Sequence, residues 1–98
     1  MTVTVLVDQA TWAGRGRLWC HVVSDESFEE LHAFARAAGI PERGFERDHY
    51  DVPESHRPAV VAAGAVEVSS KELVRRITAA GLRRPKHRPP PIPPPIPP

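Results

Sequence analysis

Apolar residues along this chain fall into short runs and helical stripes that alternate. Residues 2–7 (TVTVLV) are dense in β-branched side chains and stop at Asp8, the pattern of a buried strand. Residues 18–23 (LWCHVV) form a second. Leu18, Cys20 and Val22 share one face and Trp19, His21 and Val23 the other, and two largely apolar faces predict a central strand. Residues 9–17 lie between them and hold two glycines and two arginines that break any period, so they read as a loop. The spacing of Phe28, Leu31, Ala35 and Ala38, flanked by Phe34, predicts a first helix. Ser27 with Glu30 fits a capping box, with Ser24 or Asp25 as alternative caps, and Gly39 and Pro41 supply the stop.

Residues 40–48 read as a polar connection anchored by Phe45. Residues 49–52 (HYDV) suit a short strand ended by Pro53, with His49 and Asp51 pointing one way and Tyr50 and Val52 the other. A second helix is expected over 54–63, before Gly64; Pro58 is tolerable there only if the helix begins around 55–57. A fourth strand covers 65–68. Ser69 and Glu72 form a clearer capping box for a last helix that turns Leu73, Val74, Ile77 and Ala80 inward, stops at Gly81, and can pair Glu72 with Arg75 or Arg76. The order β-β-α-β-α-β-α predicts an α/β fold: a small three- or four-stranded, mostly parallel sheet with three helices, its first two strands adjacent.

Composition divides the chain in two. Of 98 residues, 1–82 read as a single domain and 83–98 (RRPKHRPPPIPPPIPP) as a disordered, basic, proline-rich tail holding nine of the twelve prolines. The domain has nine Lys/Arg against twelve Asp/Glu, and the tail four basic residues and no acid. A mildly acidic domain argues against a broad nucleic-acid face. The tail matches a proline-rich ligand spacing at Arg88, Pro91 and Pro94, though a dispensable extension is the simpler expectation. Cys20 is the only cysteine, so no disulfide staples the domain; its apolar run marks it as a buried thiol. No stretch approaches a membrane span and no secretory signal is visible, which makes the cytoplasm the default location.

Several blocks resemble one family. They are residues 12–19 (WAGRGRLW) with His21, residues 30–35 (ELHAFA), residues 49–53 (HYDVP), and residues 64–68 (GAVEV) with 72–76 (ELVRR). In this order they resemble a family of short bacterial proteins known as domain of unknown function 4031. The resemblance spans about residues 3–76 and excludes the proline tail. It implies a bacterial, cytosolic origin and no particular activity.

Two constellations could carry chemistry. The first gathers Asp8, His21, His49 and Asp51, with His32 near. Asp8 sits at the C-terminal end of a strand, where ligands gather in open α/β sheets. His21, His49 and Asp51 are of the types that bind a divalent metal, and histidine also moves protons near neutral pH. Each residue alone has a simpler reading: a strand histidine beside a tryptophan is commonly buried on a carbonyl, Asp51 can serve a turn, and His32 can flank the core.

The second constellation is Trp12, Arg15 and Arg17, with Trp19 beside them. Glycines free the backbone, arginines clamp phosphate bidentately, and tryptophan stacks on a base. The spacing fits neither a P-loop nor a dinucleotide fingerprint, and an exposed turn is the competing reading. Arg43, Arg47 and His49, ahead of Tyr50, could extend a phosphate surface, against a reading as a solvated loop balanced by Glu42, Glu46 and Asp48.

A non-catalytic binding or regulatory module is favoured, because a domain this small has little room for a deep pocket. The alternative is a metal-assisted hydrolase or binding protein for a phosphorylated small molecule or nucleotide. A homodimer is a candidate state, since so small a sheet exposes an edge.

Overall fold

The computed structural model describes residues 4–84. Its elements in chain order are β1 (Val5–Val7), β2 (Trp12–Gly14), β3 (Arg17–Ser24), α1 (Phe28–Ala37), β4 (Phe45–Glu46), β5 (His49–Pro53), α2 (Arg57–Ala62), β6 (Val66–Glu67) and α3 (Ser70–Ala79). Single 3₁₀ turns at Glu42–Gly44 and Glu54–His56 lead into β4 and α2. The strands form one sheet of order β4-β5-β3-β1-β6, with β2 also on β3.

The α/β class and the three helices agree with the sequence pattern; the strand number and direction do not. Among the described residues, six strands replace the expected three or four, and of their pairings only β1 with β6 is parallel. The physical reason lies in two stretches expected to be irregular. Residues 9–17 are the second half of a hairpin arm: β1 and β2 lie along the same edge of β3, interrupted at residues 8–11, and Gly14 pairs with Arg17 across a two-residue turn. Its central residues Arg15 and Gly16 have φ of 50 and 75, the left-handed backbone of a type I′ turn. Residues 40–48 supply a second hairpin, in which Glu46 pairs with His49 and the Asp48 N–H closes the turn on the Glu46 carbonyl at 2.6 Å. Consecutive strands joined this tightly must run antiparallel.

The sheet separates two apolar clusters. On one face Val5, Val7, Cys20, Val22, Tyr50 and Val52 pack with Leu31 and Ala35 of α1 and Val60 of α2. On the other, Leu6 and Val23 meet Leu73 and Ile77 of α3. Ser27 caps α1 by accepting from the Glu30 N–H, and Ser69 caps α3 by accepting from the Glu72 N–H, both at 3.0 Å. Pro58 occupies the first turn of α2, where its missing N–H costs nothing.

Helix α3 packs on Leu6 and Val23 at one end of its face. Alternation along β3 and β5 places Trp19, His21, His49 and Asp51 on that same face, in register across the strand pair. Among the described residues no helix is long and apolar enough to cross a membrane. The tail expected from Arg83 lies, from Pro85 onward, outside the described residues.

Candidate metal centre

Asp8 follows the last residue of β1, where the hairpin arm breaks step. Its carboxylate fills the gap in the ladder: Oδ1 accepts the His21 backbone N–H at 2.6 Å, and Oδ2 takes the His21 ring Nδ1 at 2.8 Å and the Ser70 hydroxyl at 2.7 Å. Burial pushes this carboxyl up, but the hydrogen bonds from His21 and Ser70 outweigh it and hold the pKa below its ordinary value. An ionised Asp8 fixes the His21 proton on Nδ1 and leaves the Nε2 lone pair facing away from it.

His49 repeats the arrangement from the neighbouring strand. Its Nδ1 lies 2.7 Å from Asp48 Oδ1, and Asp48 is buried. Asp48 Oδ2 accepts from the Arg84 backbone N–H at 2.6 Å and from Arg83 Nη1 at 3.1 Å. Burial raises the Asp48 carboxyl, and His49, Arg84 and Arg83 together bring it below the ordinary value. Both imidazoles are therefore held at Nδ1 by a buried aspartate and present Nε2 to the same place.

That place is Asp51 Oδ1, 3.0 Å from His49 Nε2 and 3.8 Å from His21 Nε2. The oxygen is buried, and no described N–H or O–H is aligned to donate to it. Proximity without an aligned donor is the informative point. A neutral His49 with its proton on Nδ1 turns a lone pair toward a carboxylate oxygen, which repels unless a proton on Nε2 or a metal ion lies between them. Burial lowers the His49 pKa, but Asp51 and Asp48 outweigh it and raise the pKa overall. The same field that attracts a proton attracts a metal ion.

One ligand atom from each of His21, His49 and Asp51 lies within 4.8 Å of the others. Ligands about 2.0–2.1 Å from a tetrahedral zinc stand roughly 3.3 Å apart, and the two separations given above fall on either side of that. Two imidazoles and one carboxylate suit a borderline divalent ion and leave coordination positions open. Asp8 and Asp48 are the outer carboxylates that ligating histidines commonly carry.

Trp12 covers His21, their ring centres 5.6 Å apart. Trp19 donates its Nε1–H to the Gly14 carbonyl at 2.8 Å, and the Arg17 guanidinium lies 5.9 Å from its ring. The two tryptophans, Arg15, Arg17, Arg43 and Asp51 line a cleft of about 670 Å³. Gly44 closes one wall; a Cβ there would stand 3.2 Å from the Asp51 carbonyl oxygen, so the bare backbone lets the wall approach β5.

The sequence profile of the family described as "Protein of unknown function (DUF4031)" matches residues 5–80. The chain belongs to this family. No curated protein and no solved structure matches it. Family membership therefore says nothing of activity.

Asp8, His21, His49 and Asp51 meet on one face, with Asp8 as the support of His21 rather than beside the open side. His32 and Tyr50 lie on the opposite face, 2.6 Å apart from Nδ1 to Oη, and Phe45 packs against both. Tyr50 is buried, and alternation along β5 turns it away from its neighbours His49 and Asp51. Arg47, at φ 56 in the β4–β5 turn, pairs with Glu46 at 2.9 Å. Asp48 was expected in a solvated loop and is buried instead, because the β4–β5 turn tucks it beneath Arg83 and Arg84. Sequence reasoning passed over Asp48 and Ser70; the Asp-His pair at 48–49 was the available signal, and Ser70 carried none.

Proposed function

We propose that this domain binds one divalent transition-metal ion through His21 Nε2, His49 Nε2 and Asp51 Oδ1, and uses it to hydrolyse a phosphate ester. One observation carries the metal reading: two imidazoles, each fixed at Nδ1 by a buried aspartate, aim their free nitrogens at a buried carboxylate oxygen that has no aligned donor. Three protein ligands leave room for water, and an ion of this class lowers the pKa of a bound water toward about 7. Hydrolysis then needs that water's oxygen to bond to phosphorus, the ester P–O bond to break, and a water proton to pass to the departing alcohol.

Metal binding without turnover is the second reading, and it keeps the non-catalytic module expected from the small size of the chain. The modest opening favours it, with the side chains of His21 and Asp51 only 26% and 23% exposed.

Metal analysis after dialysis against zinc tests the site. One zinc per chain is expected, together with a rise in melting temperature. His21→Ala, His49→Ala and Asp51→Ala should each retain the fold and lose the ion. If zinc, cobalt and manganese neither bind nor shift the melting temperature of the unaltered chain, the reading fails. Turnover of p-nitrophenyl phosphate by the zinc-loaded chain, lost in Asp51→Ala, separates the hydrolase from the non-catalytic module.

A further inference from the structure

We infer that the cleft beside the metal centre holds a small phosphorylated ligand with a planar group, of the nucleoside monophosphate class: Arg15, Arg17 and Arg43 clamp the phosphate and Trp12 carries the ring. The inference rests on the metal reading, because Asp51 belongs to both the ion site and the cleft wall.

The charge distribution supplies the first argument. Arg47, Arg57, Arg75, Arg76 and Arg83 each pair with a carboxylate. Among the described residues, five arginine side chains pair with no carboxylate; Arg36 and Arg84 lie outside the cleft, and Arg15, Arg17 and Arg43 all line it. Glu46, the other acid on that wall, is engaged by Arg47. A domain with more acids than bases thus gathers three unneutralised guanidinium groups in one concavity, where they match a phosphate in charge and donor geometry. The acidic remainder disfavours a long polyanion and points to a small ligand.

The second argument is the apolar surface offered with that charge. Trp12 is 47% exposed on a short hairpin strand, tilted over His21 and edge-on to Trp19. A face of this size beside a cationic clamp suits a purine ring attached to a phosphate. A volume of about 670 Å³ lies within the usual span for small-ligand sites.

The turn adds a third. Type I′ turns favour Asn-Gly, because both central residues need positive φ. This chain places Arg at the first position, φ 50, and the guanidinium is thereby carried to the cleft rim.

The full chain contains two tryptophans, and both line the cleft, so their fluorescence reports binding directly. The zinc-loaded protein is titrated with adenosine 5′-monophosphate, inorganic phosphate and adenosine, and zinc content is measured on the same samples. Saturable quenching by the nucleotide is expected, with weaker binding of phosphate and at least tenfold weaker binding of adenosine. Arg17→Ala combined with Arg43→Ala should weaken nucleotide binding at least tenfold with zinc retained. Arg15→Asn, which suits the turn better, should weaken it severalfold without lowering the melting temperature. Failure of the nucleotide to bind the zinc-loaded chain, equal affinity for adenosine, or unchanged affinity in the arginine variants would overturn the inference. Absence of nucleotide binding by the unaltered chain with zinc retained refutes this inference alone; failure of the unaltered chain to bind zinc refutes the metal reading.

Discussion

Asp8 and Asp48 perform the same task on neighbouring strands: each is buried, ionised and hydrogen-bonded to the Nδ1 of a histidine that faces Asp51. What keeps each charge tolerable differs. Asp8 rests on one backbone N–H, a serine hydroxyl and an imidazole, while Asp48 recruits a guanidinium and the Arg84 N–H. Cys20 shows the opposite environment two positions from Val22, deep in the α1–α2 face. Burial pushes its thiol up to about 11, with Asp8 adding to the shift. Roughly a hundredfold less thiolate is present at pH 8 than for a cysteine of ordinary pKa. The native protein should therefore resist iodoacetamide at pH 8 and react at Cys20 only once urea unfolds it, which mass spectrometry reads directly. The neutral thiol contributes fully to stability below the unfolded-state pKa near 9, and that contribution is lost as pH rises toward about 11.

At the scale of elements, the segment after α3 does more than end a helix. Leu82 joins the Leu6–Val23–Leu73–Ile77 cluster, and the next two residues bind Asp48. The C-terminal end of the domain thereby fixes the carboxylate that orients His49. Outer carboxylates of this kind typically contribute about 10–100-fold in metal affinity. Asp48→Asn should weaken zinc binding by that order in a chelator competition while the fold persists. A chain ending at Leu82 should weaken it in the same direction, because Asp48 would lose the Arg83 guanidinium and the Arg84 backbone N–H. The helices follow sequence rules more directly. The serine caps of α1 and α3 were both legible as Ser-x-x-Glu, since a capping box is local and needs no information from elsewhere.

For the molecule as a whole, the sheet divides a small core into two clusters, and the α3 side depends on few side chains. Ile77→Ala should cost about 2–5 kcal/mol in urea denaturation, a large share of the stability of any domain this size. Zinc at a hundredfold excess over its dissociation constant should return about 2.7 kcal/mol by mass action, so a chelator should lower the melting temperature of the zinc-loaded variant and of the zinc-loaded unaltered chain alike.

The amino-acid order by itself determined the helices, the central strand β3 and the α/β class, because each follows from short-range periodicity and capping. It also placed His49 and Asp51 on one side of a strand and Tyr50 on the other, since alternation is a property of any extended segment. Strand direction was decided by tertiary structure. Residues 9–17 and 40–48 have no apolar period, and only the left-handed backbone at Arg15 and Gly16, together with the tight Glu46–Asp48 turn, shows that they reverse the chain. The buried role of Asp48 and the approach of Ser70 to Asp8, 62 positions away in the chain, likewise arise from contacts between distant segments, for which local sequence carries no signal.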